Sequence, residues 1–320
     1  MDDPAHVSSP EPGPRPGPGR SLTVDLGGDL HYVDFGGPAG RPALVLVHGL
    51  GGSHLNWDLV APALARRYRV LAVDLPGFGL TAPGTRLTTV PENVRLLERF
   101  SDTVVGGPAV VVGNSMGGMI GILMADRSPQ RVTGLVLVDP ALPPVPALPR
   151  GEAAVLLHLL PGLGEYLTAA RRRRIGPRAT VVGMLRLCGV DPATVPTELL
   201  DRSVALVARR RDVAGVDRAF LTAARSLAWV LVRAGEYRAA MAAVRVPVLL
   251  LHGDRDLLVP VAAARAAAAR NPAWTYRELA GVGHVPQLQV PEVFTTEVLG
   301  WLADHEPGTE GGRAGSPSAL

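Results

Sequence analysis

The chain has no lysine, one cysteine and no apolar run long enough to cross a bilayer. Each absence excludes something. Cys188 standing alone rules out an internal disulfide and any cysteine-built metal cluster, and it reads as a small core hydrophobe. With no lysine, all 32 basic residues are arginine; together with the abundant alanine, this reads as codon usage of a GC-rich genome rather than as function. The longest apolar stretches, such as Ala153 to Leu160, fall far short of the ~20 residues that span a membrane. The N-terminus runs from Met1-Asp2-Asp3 into a Pro/Gly-rich segment. It lacks the basic start and apolar core of a signal peptide, so a cytoplasmic location is expected. There is no H-E-x-x-H, so no metal is implied, and a net charge of +3 makes no case for nucleic acid.

What is present is enough for one large core with an inserted subdomain: 320 residues, 47% of them hydrophobic. Residues 1–20 and 306–320 are Pro/Gly-rich and are expected to be disordered tails. Leu22–Leu26 and Leu30–Asp34, separated by Gly-Gly-Asp, predict an antiparallel hairpin. Short continuous apolar runs follow at 43–47, 70–73, 109–112, 135–138 and 246–251, with a last strand candidate at Thr275–Leu279. Helical spacing separates them, at 57–66, 91–105, 116–127, 261–270 and 291–303. Unalternating strands divided by helices predict a doubly wound, mostly parallel α/β sheet covered on both faces, with ligands at the carboxyl ends of the strands.

Between Asp139 and Val244 the strand rhythm stops. Residues 141–243 therefore read as an inserted helical cap, leaving 21–140 and 244–305 as the core. The insert holds 15 arginines against 8 acidic residues, so it is positive while the remainder is negative. Such a cap can attract anionic substrates or make peripheral contact with a membrane. Because Arg171–Arg174 and Arg209–Arg211 wind around helices instead of lining one face, a solvated surface is the preferred reading.

The chemistry centres on Gly113-Asn114-Ser115-Met116-Gly117-Gly118. A β-branched strand breaks there into a small-residue turn and then a helix, the spacing of a nucleophile elbow. Serine needs a base, and the base needs an acceptor that fixes its tautomer. Among eight histidines, His284 lies in a glycine-loosened loop after the last strand candidate, at the sheet edge expected for Ser115. His31, His158 and His252 read as structural, and His6 and His305 lie in or beside the tails. For the acid, both Asp254 and Asp256 meet the chain order Ser, Asp, His; Asp256 is preferred for its reach toward His284. Asp139 reads as a turn residue. Oxyanion donors are expected from the N–H of Met116 and, through the loop His48-Gly49-Leu50-Gly51-Gly52, from that of Leu50.

These residues together resemble the α/β-hydrolase superfamily. The motifs that carry the likeness are His48-Gly49, Asp74-Leu75-Pro76-Gly77-Phe78-Gly79, the elbow around Ser115, Gly253-x-x-Asp256 and Gly283-His284, spread over residues 22–304. The resemblance is to capped, cofactor-free members, and it implies a serine hydrolase acting on a small, apolar ester or related acyl substrate through Ser115, His284 and Asp256. No cofactor is expected: Gly77-Phe78-Gly79-Leu80 fits a loose dinucleotide fingerprint, but Pro83-Gly84 breaks the helix a pyrophosphate would need. Leu156, Leu157, Leu159, Leu160, Leu163 and Trp229 are the apolar cap residues available to a substrate. Alternatives are a carbon–carbon bond hydrolase of the meta-cleavage type, which often shows a similar elbow but a different oxyanion loop, or a non-catalytic ligand-binding member of the fold.

Overall fold

In a computed structural model, residues 19–143 and 173–305 are described, together with residues 164, 168 and 170. Residues 1–18 and 306–320 of the expected tails, His6, His158, Arg171, Arg172 and the leucines at 156–163 lie outside the described residues, whereas Arg20, expected in the N-terminal tail, begins a strand.

The hairpin forms from β1 (Arg20–Asp25) and β2 (Asp29–Asp34), starting two residues and one residue earlier than the apolar pattern suggested because Arg20 pairs with Asp34 and Asp25 with Asp29. Strands β3 (Ala43–Val47), β4 (Arg69–Val73), β5 (Ala109–Asn114), β6 (Val132–Val138), β7 (Val248–Gly253) and β8 (Thr275–Leu279) complete an eight-stranded sheet in the order β1-β2-β4-β3-β5-β6-β7-β8. From β4 across to β8 every pairing is parallel; only the hairpin side is antiparallel. The strands carry no polar alternation because both faces are covered. Val45, Val47, Leu71, Val73, Val111, Leu135 and Leu137 enter one apolar layer, while Leu44, Leu46, Val70, Ala72, Val112, Val136 and Val138 enter the other.

Short helix α1 (Ala61–Leu64) is followed by α2 (Val90–Phe100), α3 (Met116–Arg127), and, between β6 and β7, α4 (Pro177–Leu187), α5 (Thr197–Arg210), α6 (Val216–Val232) and α7 (Ala234–Ala243); after β7 come α8 (Val261–Arg270), α9 (Pro286–Gln289) and α10 (Pro291–Asp304). Helices α2, α3 and α8 pack on the first layer, and α1 and α10, through Phe294 and Trp301, on the second. One expected helix, 57–66, is not continuous. Ser53 caps a 3₁₀ turn at His54–Trp57 through a reciprocal bond with Asn56, and Pro62 restarts the chain as the four-residue α1. At 101–105 the chain continues α2 as a turn of π-helix. Among the described residues no helix is long and apolar enough to cross a membrane.

Candidate active site

Ser115 sits between β5 and α3 with φ 54° and ψ −115°, a backbone conformation that costs a residue with a Cβ about 1–3 kcal/mol. The surroundings impose it. Ser115 N–H donates to Val138 O at 3.0 Å, and Ser115 O accepts from the N–H groups of Met119 and Ala141 at 3.2 and 3.0 Å. Strand and helix approach so closely that a Cβ on Gly113 would press into the backbone of Gly117, and one on Gly117 into Val47 O. Met116 opens α3, so its N–H has no acceptor within the helix.

Beside the elbow, a Cβ on Gly49 would stand 3.0 Å from Ser115 Cβ, which places the loop after β3 against the serine. His48 fixes that loop: its Nδ1–H donates to Gly49 O at 2.7 Å and its Nε2 accepts from Leu75 N–H at 3.1 Å. Both ring nitrogens are therefore used by the neutral imidazole, and burial pushes its pKa down to about 4. Since the peptide is planar and trans, holding the Gly49 carbonyl also sets the opposite direction for the N–H of Leu50. Sequence reasoning quoted His48 only as part of a motif.

On the other side, His284 Nδ1 lies 2.7 Å from Asp256 Oδ2, with the two residues 4% and 8% exposed. Asp256 Oδ1 accepts from the N–H groups of Leu258 and Val259 at 2.7 and 3.0 Å. Burial alone would raise the Asp256 pKa, but the imidazole hydrogen bond and these amides hold it below the usual carboxylate value. Asp254, the other carboxylate considered, instead accepts from Gly281 N–H at 2.7 Å.

The loop of His284 is less free than its glycines suggested. His284 N–H donates to Cys188 O at 2.8 Å, its carbonyl accepts from Asn114 Nδ2 at 3.0 Å, and Gly283 has no room for a Cβ against Cys188 O. Asn114 immediately precedes Ser115, so the backbone of His284 is tied directly to the elbow.

Four features escaped the sequence. Asp74 accepts from His31 Nδ1 and His54 Nδ1, each at 2.8 Å, and from the N–H groups of His54 and Leu80. Burial opposes its charge, yet the two imidazole hydrogen bonds depress its pKa well below the ordinary range. The carboxylate thereby joins the hairpin to the Gly77-Phe78-Gly79 loop, and the second helix of the core begins only at Val90. Arg210 is the second: its guanidinium lies over the Phe78 ring and donates to Gly77 O, so this member of the arginine run is not a solvated face. Third, Phe220 and Met184 lie beside Gly51, whereas Trp229 is 62% exposed with Arg233 over its ring. Finally, Asp139 is not a simple turn residue: it is fully buried, and its carboxyl lies within 4.8 Å of ligand-type atoms of Asp256 and His284.

Two buried clusters hold donors suited to a metal, His31–His54–Asp74 and Asp139–Asp256–His284. In the first, both Nδ1 protons already point at the one Asp74 oxygen that an ion would need. In the second, Asp256 already accepts from His284 and two amides, which an ion would have to displace.

A methyl ester esterase for pimeloyl-[acyl-carrier protein] from Aromatoleum aromaticum is 34% identical over 266 residues, spanning 79% of this chain and 94% of its own. A 2-hydroxy-6-oxo-6-(2'-aminophenyl)hexa-2,4-dienoic acid hydrolase from Metapseudomonas resinovorans is 29% identical, spanning 88% of this chain and 90% of its own. The chain also matches dihydrolipoyllysine-residue acetyltransferase components of acetoin cleaving systems, of which it spans 69% and 64%. Among solved structures, the naproxen esterase of Bacillus subtilis superposes with a TM-score of 0.67 at 20% identity, covering 89% of this chain and 92% of that one. The profile of the alpha/beta hydrolase fold matches residues 42–291. The chain belongs to the alpha/beta hydrolase fold family and is a hydrolase.

Proposed function

We propose that the protein is a serine esterase. Ser115 Oγ attacks the ester carbonyl while His284 takes its proton; the N–H groups of Leu50 and Met116 hold the oxyanion; His284 then protonates the departing alcohol. Water, deprotonated by the same imidazole, cleaves the acyl-serine and releases the acid. Asp256 accepts from Nδ1–H throughout and stabilises the imidazolium. The observation that carries this reading is the junction at Asn114, whose side chain binds the backbone of the Asp256-paired histidine one residue from a strained serine. The helices between β6 and β7 act as a cap, with Phe220 and Met184 offering apolar surface beside the oxyanion loop for an acyl chain. The methyl ester named for the Aromatoleum aromaticum relative is the first substrate class to try.

Labelling with a fluorophosphonate, followed by a p-nitrophenyl ester panel of graded chain length, tests the proposal. Ser115→Ala removes the label and lowers kcat on the order of 10⁴–10⁶-fold. Asp256→Asn costs about 10⁴-fold through the wrong tautomer, whereas Asp254→Asn stays within about tenfold; the reverse order overturns the acid assignment. The likeness to the dienoic acid hydrolase and the Gly-Asn-Ser-Met-Gly-Gly elbow support a second reading, carbon–carbon bond cleavage. Leu50-Gly51-Gly52 argues against it, and turnover of a vinylogous diketone with none of any ester would establish it instead.

A further inference from the structure

Asp139 follows β6, in the bend where the chain leaves the sheet. It adopts φ 42° without being glycine, and it is completely buried. Its Oδ1 accepts from Gly253 N–H at 2.9 Å, while Oδ2 is sealed from solvent with no hydrogen-bond partner. Around it stand the carboxylate of Asp256, the imidazoles of His252 and His284 and the thiol of Cys188; Glu278 lies farther out, beyond His252. None of these is an arginine, so among the described residues no permanent cation offsets a charge on Asp139.

His252 does not offset it either. Its Nε2 lies 2.9 Å from the carbonyl of Val259, which can only accept, so the ring proton is on Nε2. Its Nδ1 is buried without a partner, 3.6 Å from Asp139 Oδ1, and burial lowers its pKa. Two carboxylates this close in a dry site cannot both ionise cheaply. Asp256 has the imidazole and two amides to hold its charge; Asp139 has one amide. The proton therefore belongs on Asp139, on the oxygen that otherwise has no partner. Burial and the neighbouring Asp256 charge both push the Asp139 pKa well above the ordinary value.

We infer that Asp139 is a positioning residue, a neutral carboxylic acid whose Oδ2–H hydrogen-bonds to the Asp256 carboxylate and holds it against His284. The inference rests on the triad reading above. It assigns Asp139 a donor role without a second negative charge beside the base.

The test has two arms. In full-length protein carrying ¹³C-labelled aspartate carboxyls, the resonance missing from Asp139→Asn should keep the chemical shift of a protonated acid through neutral pH; a resonance that ionises by about pH 5 overturns the inference. This arm needs no turnover, so it decides even if no ester is cleaved. In the second arm, the acid limb of kcat/KM for a p-nitrophenyl ester is compared between the wild type, Asp139→Asn and Asp139→Val. Asn retains a neutral donor, so its limb stays within about 0.3 pH units of the wild type whatever its absolute rate, and Val, which has no donor, falls roughly tenfold further in kcat than Asn. If Asp139 were ionised, Asn would delete a negative charge near the imidazole and drag the limb down by about one unit or more. That shift, or equal kcat losses in Asn and Val, overturns the inference; circular dichroism confirms that each variant is folded.

Discussion

At the scale of single residues, the site depends on polar groups that are buried in one fixed protonation state. His48 is the plainest, because its pKa falls to about 4 in the folded chain against about 6.5 in an unfolded one. The sign follows directly. Between those values the unfolded chain binds a proton that the folded chain refuses, so stability is complete above pH 6.5 and declines as pH falls toward 4. The loss over that window is about 3 kcal/mol. His48→Asn keeps an amide donor for the Gly49 carbonyl but cannot titrate. Its urea-unfolding free energy should therefore fall less steeply than the wild type's between pH 6.5 and 4, and equal slopes would show that His48 is not the group responsible. The motif His48-Gly49 was visible in the sequence, but the reason for the histidine was not. That reason is a hydrogen bond to its own neighbour and another to Leu75, 27 residues on, which no local pattern reports.

At the scale of elements, strands β3 to β7 were legible because both of their faces are buried, and unbroken Val/Leu runs have few other uses in a chain of this kind. Apolar, glycine- or alanine-rich helices with an arginine at their end were legible too, as at Met116–Arg127 and Val261–Arg270. The segment 57–66 was not, because its periodicity is helical while Pro62 and the Ser53 cap divide it. Asp139 was read as a turn for a similar reason: its neighbours come from β7 and the loops beyond, more than a hundred residues away. The junction of β5 with α3 is where element packing bears most directly on chemistry. Gly113→Ala would force a Cβ into the backbone of Gly117, which cannot rotate aside as a side chain would. Overpacking of that kind costs about 1–3 kcal/mol, and a displacement of ~1 Å at Ser115, the proposed nucleophile, costs about 10²-fold in turnover. Gly113→Ala should lose both, measured by thermal unfolding and by ester kinetics. Full activity in a destabilised variant would mean that α3 shifts without carrying Ser115 with it.

At the scale of the whole molecule, the arginines of the helices between β6 and β7 have a use that composition could only hint at. Arg202 on α5 pairs with Asp58 of the core at 2.5 Å, and Arg210, at the end of the same helix, covers Phe78 and bonds the Gly77 carbonyl. Arg202 thus fastens α5 to the residue after the His54–Trp57 turn, and Arg210 fastens it to the loop that Asp74 braces from beneath. Phe78 in turn packs near His48 and Phe220, so the clamp runs from α5 through the Gly77-Phe78-Gly79 loop to the wall of the site. A run of three arginines could not reveal which of them turn inward, as Arg210 and Arg211 do, since that depends on where α5 lands. The two neighbours make the comparison. Arg210→Gln gives up a charged hydrogen bond and a ring contact, a loss of about 2 kcal/mol. Arg209→Gln, on the exposed face, should change stability by less than about 0.5 kcal/mol. Urea unfolding reads both values, and limited proteolysis within 173–243 should accelerate for Arg210→Gln alone. If the two variants lose equally, the arginines act through long-range charge and not through a clamp. Added salt would then erode the stability of wild type and Arg210→Gln alike, because screening acts most on exposed charges and less on a half-buried, hydrogen-bonded guanidinium.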